Sequence, residues 1–155
     1  MTVRFECERL IAAPVARVFD AALSIDAHLA SMARSGESAI GGITTGLIGL
    51  GQQVTWRARH FGIHWTMTSR IVELEPPHRF VDEQVDGPFA WFRHEHRFTA
   101  EGDGTLMTDA LSFAAPLGVV GAAAEVVFLR RYLRRLIERR NDHLRTLNEG
   151  GDPGR

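Results

Sequence analysis

Apolar and polar residues alternate from the start of the chain, with Val3, Phe5 and Cys7 on one side of an extended segment over residues 3–12. Pro14 then opens a different period. Val15, Val18, Phe19 and Ala22 recur at helical spacing after a residue favoured in a first helical turn, which predicts a short helix. Asp26 is placed to cap a second one reaching Met32. The stretch GESAIGGITTGLIGLGQ, rich in glycine, reads as flexible or tightly turned chain between strands. Strand patterns return at about 52–61, 64–74, 79–86, 90–100 and 104–114, broken by Pro76-Pro77 and Gly87-Pro88.

The final element is the longest. Val119, Ala122, Ala123, Val126, Leu129, Leu133, Leu136, Ile137, Leu144 and Leu147 form an apolar stripe, and the helix they predict is roughly 42 Å long. Its opposite face carries Arg130, Arg131, Arg134, Arg135, Arg139, Arg140 and Arg145 and reads as solvated. One strand, two short helices, several strands and one long helix, without a strand-helix rhythm, make an α+β domain with an antiparallel sheet. The expected bounds are a single domain over 1–148 and a disordered tail over 149–155.

The turns set which side chains face inward. A two-residue turn at Gly102-Asp103 pairs Phe98 with Met107, His96 with Asp109 and His94 with Leu111. A turn at Gly62-Ile63 pairs His60 with Trp65, Ala58 with Met67, Trp56 with Ser69 and Val54 with Ile71. One at Gly87-Pro88 sets Phe92 opposite Glu83 and His94 opposite Val81. The candidate ligand-facing set is therefore Trp56, Ala58, Met67, Ser69, Glu83, Phe92, His94, His96, Phe98, Met107, Asp109 and Leu111, with Leu129 and Leu133 from the helix. An apolar wall with a few polar spots suits a small-molecule site. His96 and Asp109 are the candidate catalytic pair, although a buried His-Asp pair also satisfies itself without chemistry.

Composition narrows the partners. A formal net charge of −1 gives no overall basic field to recruit nucleic acid, and no apolar run is long enough to span a membrane. All 18 basic residues are arginine, so Schiff-base and phosphate-loop lysines are excluded. Cys7 is the single cysteine and reads as a small buried hydrophobe; a cytoplasmic location is the expectation. Gly46, Gly49 and Gly51 precede a strand and lack the lysine of a phosphate loop. His60 and His64 fall at a hairpin tip on opposite faces, so no metal or other cofactor is expected. Ser69 and Ser112 sit in no nucleophile elbow.

The runs HEHRF (94–98), GDGTLMTD (102–109) and PLG (116–118), followed by a long arginine-rich helix, resemble the SRPBCC superfamily, also called START-like or helix-grip. Within it the chain is most similar to bacterial polyketide cyclase/dehydrase-like proteins. GLIGLGQQVTWRARHFG (46–62) and ELEPPHRFVDEQVDGPF (73–89) extend the resemblance over nearly the whole chain. It implies a seven-stranded antiparallel curved sheet gripping the C-terminal helix, with two short helices after the first strand closing one end. It also implies a hydrophobic tunnel with segment 41–51 as a gate near its mouth. Members include lipid carriers, hormone and allergen-type binders, aromatase/cyclases and protein-docking domains, with no universal catalytic residue. The leading expectation is binding or carriage of a small hydrophobic or aromatic metabolite. The alternatives are a cyclase- or dehydratase-type enzyme using His96 and Asp109, and a protein-interaction domain.

Overall fold

The computed structural model describes residues 2–115 and 123–150. The chain runs β1 (Thr2–Ile11), α1 (Val15–Leu23), α2 (Ile25–Ser31), a 3-10 turn (Ala33–Ser35), β2 (Ser38–Gly42), β3 (Gln53–His60), β4 (Ile63–Glu75), β5 (Arg79–Asp86), β6 (Trp91–Glu101), β7 (Gly104–Ala114) and α3 (Ala123–Glu149). The PLG motif, Val119 and Ala122 of the helical stripe, and tail residues 151–155 lie outside the described residues. The seven strands form one antiparallel sheet in the order β1-β7-β6-β5-β4-β3-β2, and α3, about 40 Å long, crosses it. This is the helix-grip α+β fold.

Local chemistry explains the helix ends. Ser24, not Asp26, caps α2: its hydroxyl accepts the Ala27 N–H at 3.1 Å. Asp26, one residue into the helix, instead accepts from the Gly46 N–H at 2.9 Å and the Thr45 hydroxyl at 3.0 Å. That bond helps pin the glycine-rich segment. Ile25 N–H donates to Gly46 O, Ile48 N–H to Leu23 O and Gly51 N–H to Ile71 O, while the Ile48 side chain is buried. At the far end, Glu149 closes α3 and accepts the Ala12 N–H at 2.8 Å, and Arg17 donates to the Asn148 carbonyl. The C-terminal half of α3 is thus clamped to the β1-α1 corner.

Register decides which faces meet α3. The β6-β7 hairpin turns at Gly102-Asp103 with Gly102 at φ 59°, and pairs His96 with Asp109 and His94 with Leu111 as expected. The β3-β4 hairpin turns one residue earlier than expected. Phe61 and Gly62 both hold positive φ, as a type I′ turn needs, so Ala58 pairs with Trp65, Trp56 with Met67 and Val54 with Ser69. A slip of two in partner number leaves every side chain on its expected face.

The β5-β6 pairing differs by one, and one is enough to invert a strand. Asp82 lies opposite His94 and Glu83 opposite Arg93, so Glu83 sits on the outer face, where it bonds Arg93 at 2.6 Å. The cause is a wide connection instead of a tight Gly87-Pro88 turn. Gln84 clamps Phe89 from both sides, donating to its carbonyl at 2.8 Å and accepting its N–H at 3.2 Å.

Candidate functional site

A cavity of about 390 Å³ lies between the sheet and the first half of α3. β3 and β4 contribute Trp56, Ala58, Met67 and Ser69; β6 and β7 contribute Phe92, His94 and Leu111; α3 contributes Leu129, Leu133, Leu136 and Ile137. Its walls are almost wholly apolar. Phe98 and Met107, which belong to the expected set, are fully buried in the other core under α1 and do not line it. None of residues 41–51 lines it either; Ile48 borders a neighbouring space of about 100 Å³, so the structure gives the glycine-rich segment no place in the wall of the large cavity.

The polar groups form a chain at the boundary between the cavity and the packed core. His94 Nε2 lies 2.7 Å from Asp109 Oδ1, and His96 Nε2 lies 2.7 Å from Asp82 Oδ2. The His94 and His96 rings stack at 3.6 Å, and Phe80 stacks on the other face of His96 at 4.0 Å. From α3, Asn141 donates to Asp109 Oδ2 at 2.7 Å and Arg140 reaches Oδ1 at 3.3 Å. Asp109 is fully buried, with all its strong bonds made to neighbours. His96, its partner across the strands, keeps Nδ1 3.3 Å from Asp109 Oδ1 without forming a hydrogen bond. The direct imidazole partner of Asp109 is therefore His94, and that of His96 is Asp82.

Electrostatics fixes the protonation of part of this chain. Burial pushes the Asp109 carboxyl up, but the two imidazoles and the Arg140 guanidinium outweigh it and hold the group well below the ordinary carboxylate range. Asp82 is likewise held low: burial opposes ionisation, and the His96 hydrogen bond with the nearby positive charge of Arg140 wins. His94 is lowered to about 4, by burial first and by His96 second, against the pull of Asp109. An ionised Asp109 can only accept, so a neutral His94 donates from Nε2 and keeps its lone pair on Nδ1. That is the arrangement of an oriented neutral base.

Asp82, His94 and His96 also place donor atoms within 4.8 Å of one another. Both Nε2 atoms are already engaged by carboxylates, His94 by Asp109 and His96 by Asp82.

Two further polar pairs border the cavity. His28 bonds Glu37 at 2.6 Å and packs on Trp56 at 4.2 Å between ring centroids. At the tip of the β3-β4 hairpin, His60 Nδ1 lies 2.6 Å from the Tyr132 hydroxyl, and Phe61 packs on Tyr132 at 4.5 Å, joining sheet to helix. Burial lowers the His60 pKa and raises that of Tyr132.

The sequence leaves Asp82 and Asn141 unmarked and places Arg140 on the solvated face of the helix, whereas Arg140 is buried and paired with Asp109. The helical signal was there: Arg140 and Asn141 stand three and four residues after Ile137, on the stripe that continues to Leu144, and both are buried. For Asp82 it was Phe80, an inward aromatic two residues away on the same strand face.

Residues 2–149 match the family described as polyketide cyclase / dehydrase and lipid transport. The chain belongs to this family. It is therefore an SRPBCC protein, and solved structures agree on the fold. TTHA0849 from Thermus thermophilus is 16% identical over 92% of this chain and 97% of its own, with a TM-score of 0.72. StfQ, a di-domain ARO/CYC from the steffimycin biosynthetic pathway, is 16% identical with a TM-score of 0.76, over 96% of this chain and 51% of its own. Ara h 8.0201 is 12% identical with a TM-score of 0.65, over 93% of this chain and 98% of its own. Among curated proteins none matches. No helix among the described residues is long and apolar enough to cross a membrane.

Proposed function

We propose that this protein binds and carries a small hydrophobic or aromatic metabolite in the space between its sheet and α3. The observation that carries the reading is the cavity itself: about 390 Å³, bordered by Trp56, Met67, Phe92, Leu111, Leu129 and Leu133, within the size range of small-molecule sites. Apolar area removed from water stabilises such a guest by about 25 cal/mol per Å², with no charged contact required. Native mass spectrometry of freshly purified protein tests this. A reproducible extra mass that organic extraction removes is the expected result. Its absence, together with no binding of neutral aromatic probes, contradicts the reading.

A second reading is enzymatic, and the buried carboxylate-imidazole chain favours it. His94, held neutral and oriented by Asp109, borders the cavity and would act as a general base on a polyketide-like substrate, with His96 and Asp82 behind it. The family description and the similarity to StfQ, a di-domain ARO/CYC, point the same way. Here His94 replaces His96 as the residue nearest the guest. A cyclisation assay with a poly-β-ketone substrate separates the readings. Turnover lost in His94→Gln with binding retained supports the enzyme; binding without turnover in the unaltered protein supports the carrier.

A further inference from the structure

Apart from the Tyr132 phenol, the ionisable groups that border the large cavity are carboxylates and imidazoles. Glu37, Asp82 and Glu125 stand there, together with His28, His60 and His94. Among the described residues no arginine lines it, although the chain has 18 basic residues, all arginine. Residues 116–122 read PLGVVGA and add no charge of either sign. Arg140, the arginine nearest the network, borders only the smaller neighbouring space and is committed to Asp109.

Asp82 is the acidic group of this wall that belongs to the buried histidine network. Its Oδ2 is taken by His96, while Oδ1 accepts no hydrogen bond among the described residues, and its side chain retains 19% exposure. An oxygen in that state attracts a donor and repels a second anion, more strongly in an apolar wall than in water. The Glu37 carboxylate is already paired with His28, so the described wall presents acceptors without a free cation to receive an anionic group.

We propose that the cavity selects its guest by charge: it takes a flat aromatic molecule bearing a hydrogen-bond donor, a phenol hydroxyl or an ammonium, which meets Asp82 Oδ1, and it rejects carboxylate-headed molecules such as fatty-acid anions. This rests on the reading of the cavity as a ligand site and adds the chemical class that fits it. The rings lie against Phe89, Phe92 and Trp56, and the polar end points toward β5.

Three fluorescent probes of nearly equal shape test it: 2-hydroxyanthracene, 2-(aminomethyl)anthracene and anthracene-2-carboxylate, titrated at neutral pH into the full-length protein. The hydroxyl and ammonium probes are expected to bind about tenfold or more tighter than the carboxylate. Asp82→Asn should shrink the ammonium-to-carboxylate ratio by about fivefold or more while the hydroxyl probe changes little. Glu125→Gln, at the exposed start of α3 and outside the buried network, should shrink it in the same direction by less, and serves if the Asp82 variant does not fold. Carboxylate binding as tight as the other two, or ratios that neither variant moves, overturns charge selection while leaving the ligand site intact. Failure of all three probes to bind overturns the ligand site itself.

Discussion

Under α1 and α2 the space between sheet and α3 is largely filled, with Phe19 edge-on to Phe80 at 5.7 Å and to Phe98 at 5.3 Å and only about 100 Å³ left open beside Leu23 and Ile25. Under the first half of α3 the same sheet leaves about 390 Å³ open. The difference lies in what stands between the two layers. A single helix crossing a concave sheet touches it along one line, and two short helices supply the missing volume at one end only. Phe19, Leu23 and Ile25 do that filling, while α2 reaches the hollow end only through His28. The polar chain from Asp82 to Asn141 runs along the border, with Asp109 bonded on the packed side and Asp82 facing the hollow.

The largest expected contrast is between cores. Phe98→Ala, in the packed end, should cost about 3–5 kcal/mol by chemical denaturation, because it opens a new void. Leu133→Ala, which already borders open space, should cost only about 1 kcal/mol while altering probe binding. Equal costs would mean that the hollow end is packed as tightly as the filled one.

The border should reveal itself in acid. His94 is neutral in the folded protein with a pKa of about 4, against 6.5 for an ordinary imidazole. Between those values the unfolded chain binds the proton and the folded one does not. Stability is therefore complete above about 6.5 and falls as pH drops toward about 4, by roughly 3 kcal/mol in total. Asp82 and Asp109, held low, add their losses below that window. Denaturation curves at several pH values check the slope, and His94→Gln, which cannot gain charge, should flatten it. The smallest effect concerns the hollow end's rim: Tyr132→Phe removes the bond to His60 and should cost about 1 kcal/mol or less, with faster probe release in stopped-flow as its clearer sign.

How legible each part was follows from turn geometry. Gly102-Asp103 is a two-residue turn with its glycine at positive φ, so the His96-Asp109 register could be counted from the sequence. At Phe61-Gly62 the count was off by one turn position, yet the pleat's period of two kept Trp56, Ala58 and Met67 on their face. At 87–90 the chain makes a wide loop held by Gln84, a contact that no local residue pattern announces, and the resulting single-residue shift exchanged Glu83 for Asp82. Arg140 shares a helix with six other candidate surface arginines, and only Asp109 across the core distinguishes it. The filling role of α1 and α2 was equally non-local: their apolar stripes predicted burial, not which end of the sheet they would fill.

The most direct measurement is diffraction from crystals pressurised with xenon, which enters dry apolar cavities and leaves packed cores empty. The account predicts xenon among Met67, Leu111, Leu129 and Leu133, and none among Phe19, Phe98 and Met107. A xenon-free first half of α3, with side chains closed over the space, would contradict it.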